Sequence, residues 1–320
     1  MGKFINPFTD VGFKRIFGQE FSKPLLLDFL NSLLKGEREI VDITFLDKEQ
    51  PPVFNGDRSL IYDIYCETTD NEHIIVEMQN CEQPFFKKRS IYYTCEAISR
   101  QGERGAEWNY GIKAVYFIAF LNFRLNDIGE KFRTDVALTD LETKERFSDD
   151  MRMIYLQLPY FTKDADSCEN DLERWIYVLK NMEALNRLPW AAQNSMFERL
   201  AQIADISALS KDERLKYDEA IKKYRDTLCV MEGAVQKGLA KGLAEGRAKG
   251  LAEGRAEGLA EGRAEGLAEG RAEGRAEGRA ENQKDTIMRL HAAGYAAEMM
   301  AVATGLSIDE VNRILASENL

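Results

Sequence analysis

Histidine is nearly missing from these 320 residues: only His73 and His291 occur. That scarcity excludes HExxH zinc proteases, His-metal nuclease motifs and most Ser-His or Cys-His catalytic pairs. Cysteine is sparse as well, and Cys66, Cys81, Cys95, Cys168 and Cys229 are widely spaced with no CxxC pair. Neither a disulfide framework nor a zinc cluster is legible, and each cysteine reads as a small buried hydrophobe. No GxxxxGK[ST] loop occurs, and the 23 glycines form no GxGxxG turn between strand and helix. A nucleotide-driven motor and a dinucleotide-dependent dehydrogenase are thereby disfavoured. No uncharged apolar run reaches about 18 residues, and the start MGKFINPFTD has no signal-peptide core. Asn6 stands where an N-myristoylation signal wants Ser or Thr. The expectation is a cytoplasmic protein with no membrane span.

What is present is a globular composition, 44% hydrophobic and 30% charged, and a length that suggests two domains. The net charge of −11 repels polyanions in general. Nucleic acid would then be held only by a local basic patch or through metal ions. With histidine so scarce, any enzymatic chemistry falls to carboxylates.

The chain is divided by a tandem repeat of EGRA and EGLA tetrads from about Gly238 to Glu281. Nine Glu between Glu245 and Glu281 balance nine Lys and Arg between Lys237 and Arg279, so the excess acid lies elsewhere. A period of four advances 40° per tetrad on a helix, which winds Glu, Gly, Leu/Arg and Ala into four stripes. Glycine recurs ten times from Gly242 to Gly278, at roughly 1 kcal/mol each relative to Ala, so a lone helix would be marginal. Two readings stand: self-association along the Gly and Ala stripes, aided by Leu243, Leu251, Leu259 and Leu267, or a solvated helical spacer. Fully helical, residues 233–281 would reach about 74 Å.

Upstream, periodicity predicts a helix over Pro24 to Leu34 and strands over Ile40 to Asp47, Leu60 to Thr68 and Glu72 to Gln79. A helix over Gln83 to Arg104 follows, then a strand buried on both faces over Tyr110 to Leu121. Further strands are expected at Phe132 to Leu138 and Arg152 to Leu158, and helices at Asp171 to Met182, Ala191 to Ile206 and Lys211 to Met231. In the tail, Ser307 and Glu310 have capping-box spacing and Gly305 sits where a helix would end. The tail resembles a helix-turn-helix with its second helix at Ile308 to Ala316, but Asp309, Glu310 and Glu318 favour packing or dimerisation over DNA reading.

Two strands carry misplaced acids. Asp63 interrupts the apolar run from Leu60 to Tyr65, and Glu77 and Gln79 end the run that begins at Ile74. Burying a carboxylate costs several kcal/mol unless it is paired or holds a metal. With period two, Glu77 and Gln79 share a face with Ile75, while Ile74, Val76 and Met78 point the other way. A two-residue loop at Asp70-Asn71 would pair Asp63 with Met78, on the wrong face; a three-residue loop Thr69-Asp70-Asn71 would pair it with Glu77. The three-residue loop is expected, because Asn71 tolerates the left-handed conformation it needs. Asp63 and Glu77 would then form a site for a hard divalent cation such as Mg²⁺, which keeps several waters and meets a phosphate oxygen. The plainer alternative makes them half-exposed residues salt-bridged to Lys113 or Arg89.

The run Asn6-Pro7-Phe8-Thr9-Asp10-Val11-Gly12-Phe13-Lys14-Arg15-Ile16-Phe17-Gly18, the helix carrying Leu30-Asn31-Ser32-Leu33-Leu34, Asp63, Glu77-Met78-Gln79, Arg89-Ser90-Ile91-Tyr92-Tyr93 and the stretch from Tyr110 to Phe123 resemble the Rpn (recombination-promoting nuclease) and PD-(D/E)XK nuclease family transposases. The resemblance is close over residues 1–125 and looser to about 230. It implies an α/β, restriction-endonuclease-like PD-(D/E)XK core, αβββαβ with a mixed sheet, and Mg²⁺-dependent DNA cleavage linked to mobile elements, recombination or phage defence, with Mn²⁺ as a substitute ion. It makes Asp63 and Glu77 the metal ligands, puts Gln79 where the wider superfamily has Lys, and offers Asp10 as a further acid; the alternative for Asp10 is a helix N-cap. A neutral Gln hydrogen-bonds but cannot stabilise negative charge as Lys does, so Lys88 or Arg89 becomes the candidate substitute. Lys87, Lys88 and Arg89, with Arg100 and Arg104 beyond, are either phosphate contacts or an ordinary solvated face. Tyr92, Tyr93 and Trp108 read as core or rim aromatics rather than stacking platforms.

The organisation expected is a nuclease-like domain over 1–160, a helical extension over 161–232, a repeat-built helical spacer over 233–281 and a small helical module over 282–320. The expected partners are DNA and a second copy of the chain, joined as a homo-oligomer (a dimer) through spacer and tail. The competing functions are a nuclease-fold protein that has lost turnover and serves as a DNA-binding or assembly module, and an accessory protein of a transposable element.

Overall fold

Val115–Leu121 offers no polar face to solvent, and it forms the central strand of the sheet with all seven residues buried. The computed structural model describes residues 2–51, 59–103, 105, 108–125 and 128–318. Around that strand, β6, the six-stranded sheet also contains β1 (Ile43–Phe45), β4 (Ile64–Thr68), β5 (His73–Gln79), β7 (Arg133–Thr139) and β8 (Arg146–Gln157). Their order is β1-β4-β5-β6-β8-β7. The pairs β5/β6 and β6/β8 are parallel and the other three antiparallel, so the sheet is mixed. A separate two-stranded ribbon pairs β2 (Glu49–Gln50) with β3 (Leu60–Ile61).

Helices cover both faces. On one, α1 (Asp10–Phe17), α2 (Lys23–Leu33), α4 (Asp171–Asn181) and α5 (Ser195–Ala204) bury Phe17, Phe29, Trp175 and Phe197 around Phe120 and Ile118. On the other, α3 (Phe86–Ser99) covers Ile75, Phe117, Ala119 and Tyr155. The order α2-β1-β4-β5-α3-β6 is the αβββαβ arrangement expected of the core.

Several boundaries differ from the sequence reading. The strand expected from Tyr110 begins only at Val115, because Tyr110 has φ +61° and Ile112 N bonds back to its carbonyl. The strand expected over Leu60 to Thr68 breaks at Tyr62-Asp63, since Leu60 and Ile61 pair with Gln50 and Glu49 instead. The helix expected from Gln83 starts at Phe86, after Pro84 and a left-handed Phe85; Arg104 lies outside the described residues. β8 extends back to Arg146, where it completes a hairpin with β7. Cys66 and Cys168 are buried as expected, but Cys95 and Cys229 are exposed on the outer faces of their helices.

The chain divides into two compact units, Met1–Val230 and Met231–Leu320. Helices expected separately over 211–231, the repeat and the start of the tail are one helix, α6 (Lys211–Ala292); no proline follows Pro189 to break it. Leucines every eight residues step 80° around a helix. Leu243, Leu251, Leu259 and Leu267 are accordingly each about 60% exposed, and they form no single apolar face. In the tail, α7 (Ala297–Thr304) and α8 (Ile308–Glu318) pack on the end of α6 through Ile287, Met300 and Val311. Gly305 ends α7 at φ +71° and Ser307 and Glu310 form the expected capping box. Among the described residues, no helix is long and apolar enough to cross a membrane.

The β4–β5 register, Ile64 opposite Val76 through Glu67 opposite His73, is that of the three-residue loop. Thr68 Oγ1 accepts from Asp70 N and Glu72 N, and Asn71 sits at φ +60°. Asn71→Ala is expected to lower the unfolding free energy by about 1 kcal/mol and Asn71→Gly by less than about 0.5 kcal/mol. Urea titration checks this; equal losses in both variants would remove the left-handed requirement.

Candidate active site

The acids sit where two strands part. Extended by one residue, the β4–β5 register sets Asp63 opposite Glu77. The ladder ends there because the chain at Tyr62 turns away to bond Lys48 O. Side chains take over from the backbone. Asp63 N donates to Glu77 Oε1 at 3.2 Å, and Met78 N donates to Asp63 Oδ2 at 2.9 Å. Gln79 Nε2 donates to Glu77 Oε2 at 3.1 Å. Glu77 and Gln79 share the α3 side of the sheet with Ile75, while Ile74, Val76 and Met78 enter the opposite core.

Glu77 is only 4% exposed, and Asp63 is half-buried. Neither forms an ion pair with Lys113, Arg89 or any other cation among the described residues, so the salt-bridge alternative fails. Burial, then the Asp63 charge beside it, pushes the Glu77 carboxyl up to about 8. Burial also raises Asp63, against the pull of the Met78 N–H bond. Arg89 lies close enough to favour the charged form of both carboxylates. Its guanidinium stacks on Phe86 and Tyr93 at 5.3 and 5.8 Å, and its Nη1 donates to Gln83 Oε1 at 2.5 Å.

The N-terminal motif brings in a third acid. Asn6 Oδ1 accepts from Phe8 N, Thr9 Oγ1 donates to Asn6 O, and Thr9 Oγ1 accepts from Gly12 N. Thr9, not Asp10, is therefore the N-cap of α1. A Cβ on Gly12 would lie 2.1 Å from Asn6 O, so this close turn requires glycine. Asp10 is left in the first turn, ion-paired to Lys14. It lines a cavity of about 440 Å³ together with Asp63, Asn80, Gln83, Lys223 and Tyr224. Asn80 Nδ2 is used on Phe8 O, and its Oδ1 is buried without a partner.

Of the predicted site residues, the structure brings together Asp63, Glu77 and Gln79, with Asp10 on the cavity that Asp63 lines and Arg89 within electrostatic reach. Lys88 instead points over the ring of Phe85, and Lys87 is half-buried. Sequence reasoning missed Lys14, whose charge favours ionised Asp63; its i,i+4 spacing from Asp10 was the available signal. It also missed the cavity wall from α6, for which no local pattern exists.

The donor set fits a hard cation. Among the described residues, the adjacent Asp63 and Glu77 carboxylates have no ion-paired cation, and no cluster of three or more His, Cys, Asp or Glu forms. Such a site suits an ion that keeps several waters rather than one caged by protein.

Residues 7–234 match the model of the PD-(D/E)XK nuclease family transposases. The chain belongs to that family. No curated protein and no solved structure matches it. The match covers the sheet, the carboxylate pair and the beginning of α6, and stops short of the repeat. PD-(D/E)XK membership makes the α/β sheet a nuclease-type fold and points to a nuclease-related function on DNA, in a family that generally uses divalent metals.

Because the folded pair holds a proton to higher pH than the unfolded chain, its effect on stability has a definite sign. Between about 4.5 and 8 the unfolded chain releases the Glu77 proton while the folded one retains it, so stability falls as pH rises through that window. Glu77→Gln is expected to gain stability over the wild type from pH 5 to 8 in metal-free buffer, levelling off above. Parallel urea-denaturation profiles for the two proteins would contradict the raised carboxyl.

Proposed function

We propose that the chain is a metal-dependent endodeoxyribonuclease that hydrolyses phosphodiester bonds, with Asp63 and Glu77 as ligands of Mg²⁺ or Mn²⁺. The carrying observation is the carboxylate pair, Glu77 buried and Asp63 half-buried, neither ion-paired to a cation among the described residues, with Asp63 lining a cavity of about 440 Å³. A bound divalent ion would neutralise charge developing on the phosphate and activate water for attack. The protein's own part is orientation. The Met78 N–H holds Asp63, while the Asp63 N–H and the Gln79 amide hold the two oxygens of Glu77. Arg89, fixed by Gln83 and two rings, supplies the fixed positive charge that Gln79 lacks. Asp10 adds a third carboxylate at the cavity. The biological setting we infer is mobile-element, recombination or phage-defence activity in the cytoplasm.

A second reading has one observation in its favour. Gln79 gives an amide N–H to Glu77 and, being neutral, brings no positive charge to the site, which suits a nuclease-fold protein of weak or lost turnover acting in DNA binding or assembly. Pairing of two chains through the repeat and tail belongs to either reading; Met299 and Val302, 59% and 86% exposed on α7, support it.

Purified protein incubated with supercoiled plasmid is expected to nick it with Mg²⁺ and not with EDTA. Asp63→Ala and Glu77→Ala should each lower the rate at least about 100-fold. Folded wild type that leaves plasmid intact across Mg²⁺, Mn²⁺ and salt series would favour the second reading, and Gln79→Lys would then be expected to gain activity. Light scattering on the same preparation reads twice the 36.5 kDa chain mass if the chain pairs, and 36.5 kDa if it does not.

A further inference from the structure

Helix α3 opens with an anomaly. Phe85, its N-cap residue, has φ +71° and a ring that is 74% exposed. A bulky side chain rarely adopts that left-handed backbone, and an exposed ring gains nothing from burial to offset the strain. The conformation is held by Phe86 N donating to Gln83 O at 3.1 Å, Arg89 N donating to Phe85 O at 2.9 Å, and the anchoring of Phe86 in the core. Strain retained in this way collects at functional sites.

The exposed face of the helix continues the pattern. Lys88 follows Phe85 by three residues, and its Nζ lies 5.6 Å from the Phe85 ring centre. Tyr92 follows Lys88 by four residues and is 56% exposed. Residues three, four and seven apart share one face of a helix, so Phe85, Lys88 and Tyr92 form one stripe, ring, cation, ring. Seven residues of helix separate the two backbone positions by about 10 Å along the axis. Tyr93, by contrast, turns inward against Tyr62 at 5.3 Å. The stripe adjoins the candidate active site through Gln83, which lines the Asp63 cavity and also holds Arg89.

We infer that this stripe binds single-stranded or locally unpaired DNA, with bases stacking on Phe85 and Tyr92 and a backbone phosphate on Lys88. Rings alternating with a cation beside an acidic hydrolytic centre match the way unpaired strands are held, where each base offers a face to stack and each phosphate a charge to neutralise. Intact duplex keeps its bases stacked internally and can engage only the cation. The inference rests on the nuclease reading for its choice of DNA, and it extends that reading to a substrate class: strands with an unpaired base next to the cleaved phosphate.

Binding rather than cleavage separates the two. With the full chain in Ca²⁺ buffer, fluorescence anisotropy of a labelled single-stranded oligonucleotide is expected to give a Kd weakened about 5- to 150-fold by Phe85→Ala or Tyr92→Ala, and within about 3-fold of wild type for Phe85→Trp and Tyr92→Phe. Uninterrupted duplex should shift less than about 2-fold in the Ala variants, because phosphate contacts carry it. Phe85→Asn, which suits the left-handed backbone, should keep or raise the melting temperature while losing single-strand affinity, an outcome no purely structural role produces. The inference is overturned if Phe85→Ala binds single strands like wild type, if Phe85→Trp loses as much as Phe85→Ala, or if no oligonucleotide binds saturably. A chain that binds in this pattern yet cleaves nothing would defeat the nuclease reading and leave the stripe standing.

Discussion

The site depends on two backbone N–H groups that bond carboxylates where the β-ladder ends. In a regular antiparallel pair the Met78 amide would bond the Tyr62 carbonyl, whereas the Asp63 amide, opposite Glu77 at a non-hydrogen-bonded position, would not bond across to β5. Here the chain turns off at Tyr62, and the amides are satisfied by Glu77 and Asp63 side chains. This arrangement fixes both acids without spending a cation on either. It also leaves both without an ion-pair partner among the described residues, in a site where Glu77 is almost fully buried and Arg89 acts only at a distance. A buried carboxylate pair in that state either retains a proton or acquires an external ion. The proposed function therefore rests on how the strand ends.

The surrounding elements serve that geometry. The loop carrying Asn71 sets the register that puts Asp63 opposite Glu77 and not Met78. The Asn6–Gly12 turn caps α1 with Thr9 and leaves Asp10 at the cavity. Helix α3 closes the sheet over Glu77 with Phe86 and Ala97, while Arg89 brings positive charge to the same place. The start of α6 supplies Tyr217, whose hydroxyl accepts from Asn6 N at 2.8 Å, and Tyr224, whose hydroxyl accepts from Asn122 Nδ2 at 3.1 Å. The second unit is built on another principle: its glycines carry no steric demand, with open space where a Cβ would go at every repeat glycine from Gly238 to Gly278.

What the sequence made legible was local and periodic. Period-two alternation in Glu72 to Gln79 put Glu77 and Gln79 on one face, the almost entirely apolar stretch from Tyr110 to Leu121 marked the central strand though not its start, and one asparagine decided between two hairpin registers. The strand break at Asp63 was not legible, because pairing of Leu60 with Gln50 competes with continuation of the strand and both suit an apolar run. The α6 wall of the cavity was invisible for a related reason, since it meets the loops of the candidate site across some 140 residues of chain. Tyr92 and Tyr93 read alike in the sequence, as core or rim aromatics; the helix phase separates them, with Tyr92 exposed and Tyr93 against Tyr62. The left-handed Phe85 contradicts its own residue type, and such conflicts between local preference and structure are where function tends to reside.

We propose that the Asp63–Glu77 pair takes up a divalent cation in exchange for the proton that burial holds on Glu77. Calorimetric titration of the full chain with Mg²⁺ at pH 7, repeated in two buffers of different ionisation heat, counts the protons that leave as the ion binds. Expulsion of the Glu77 proton predicts release of about one proton per ion, abolished together with most of the affinity in Glu77→Gln. Binding without proton release, or unchanged affinity in Glu77→Gln, would contradict the account.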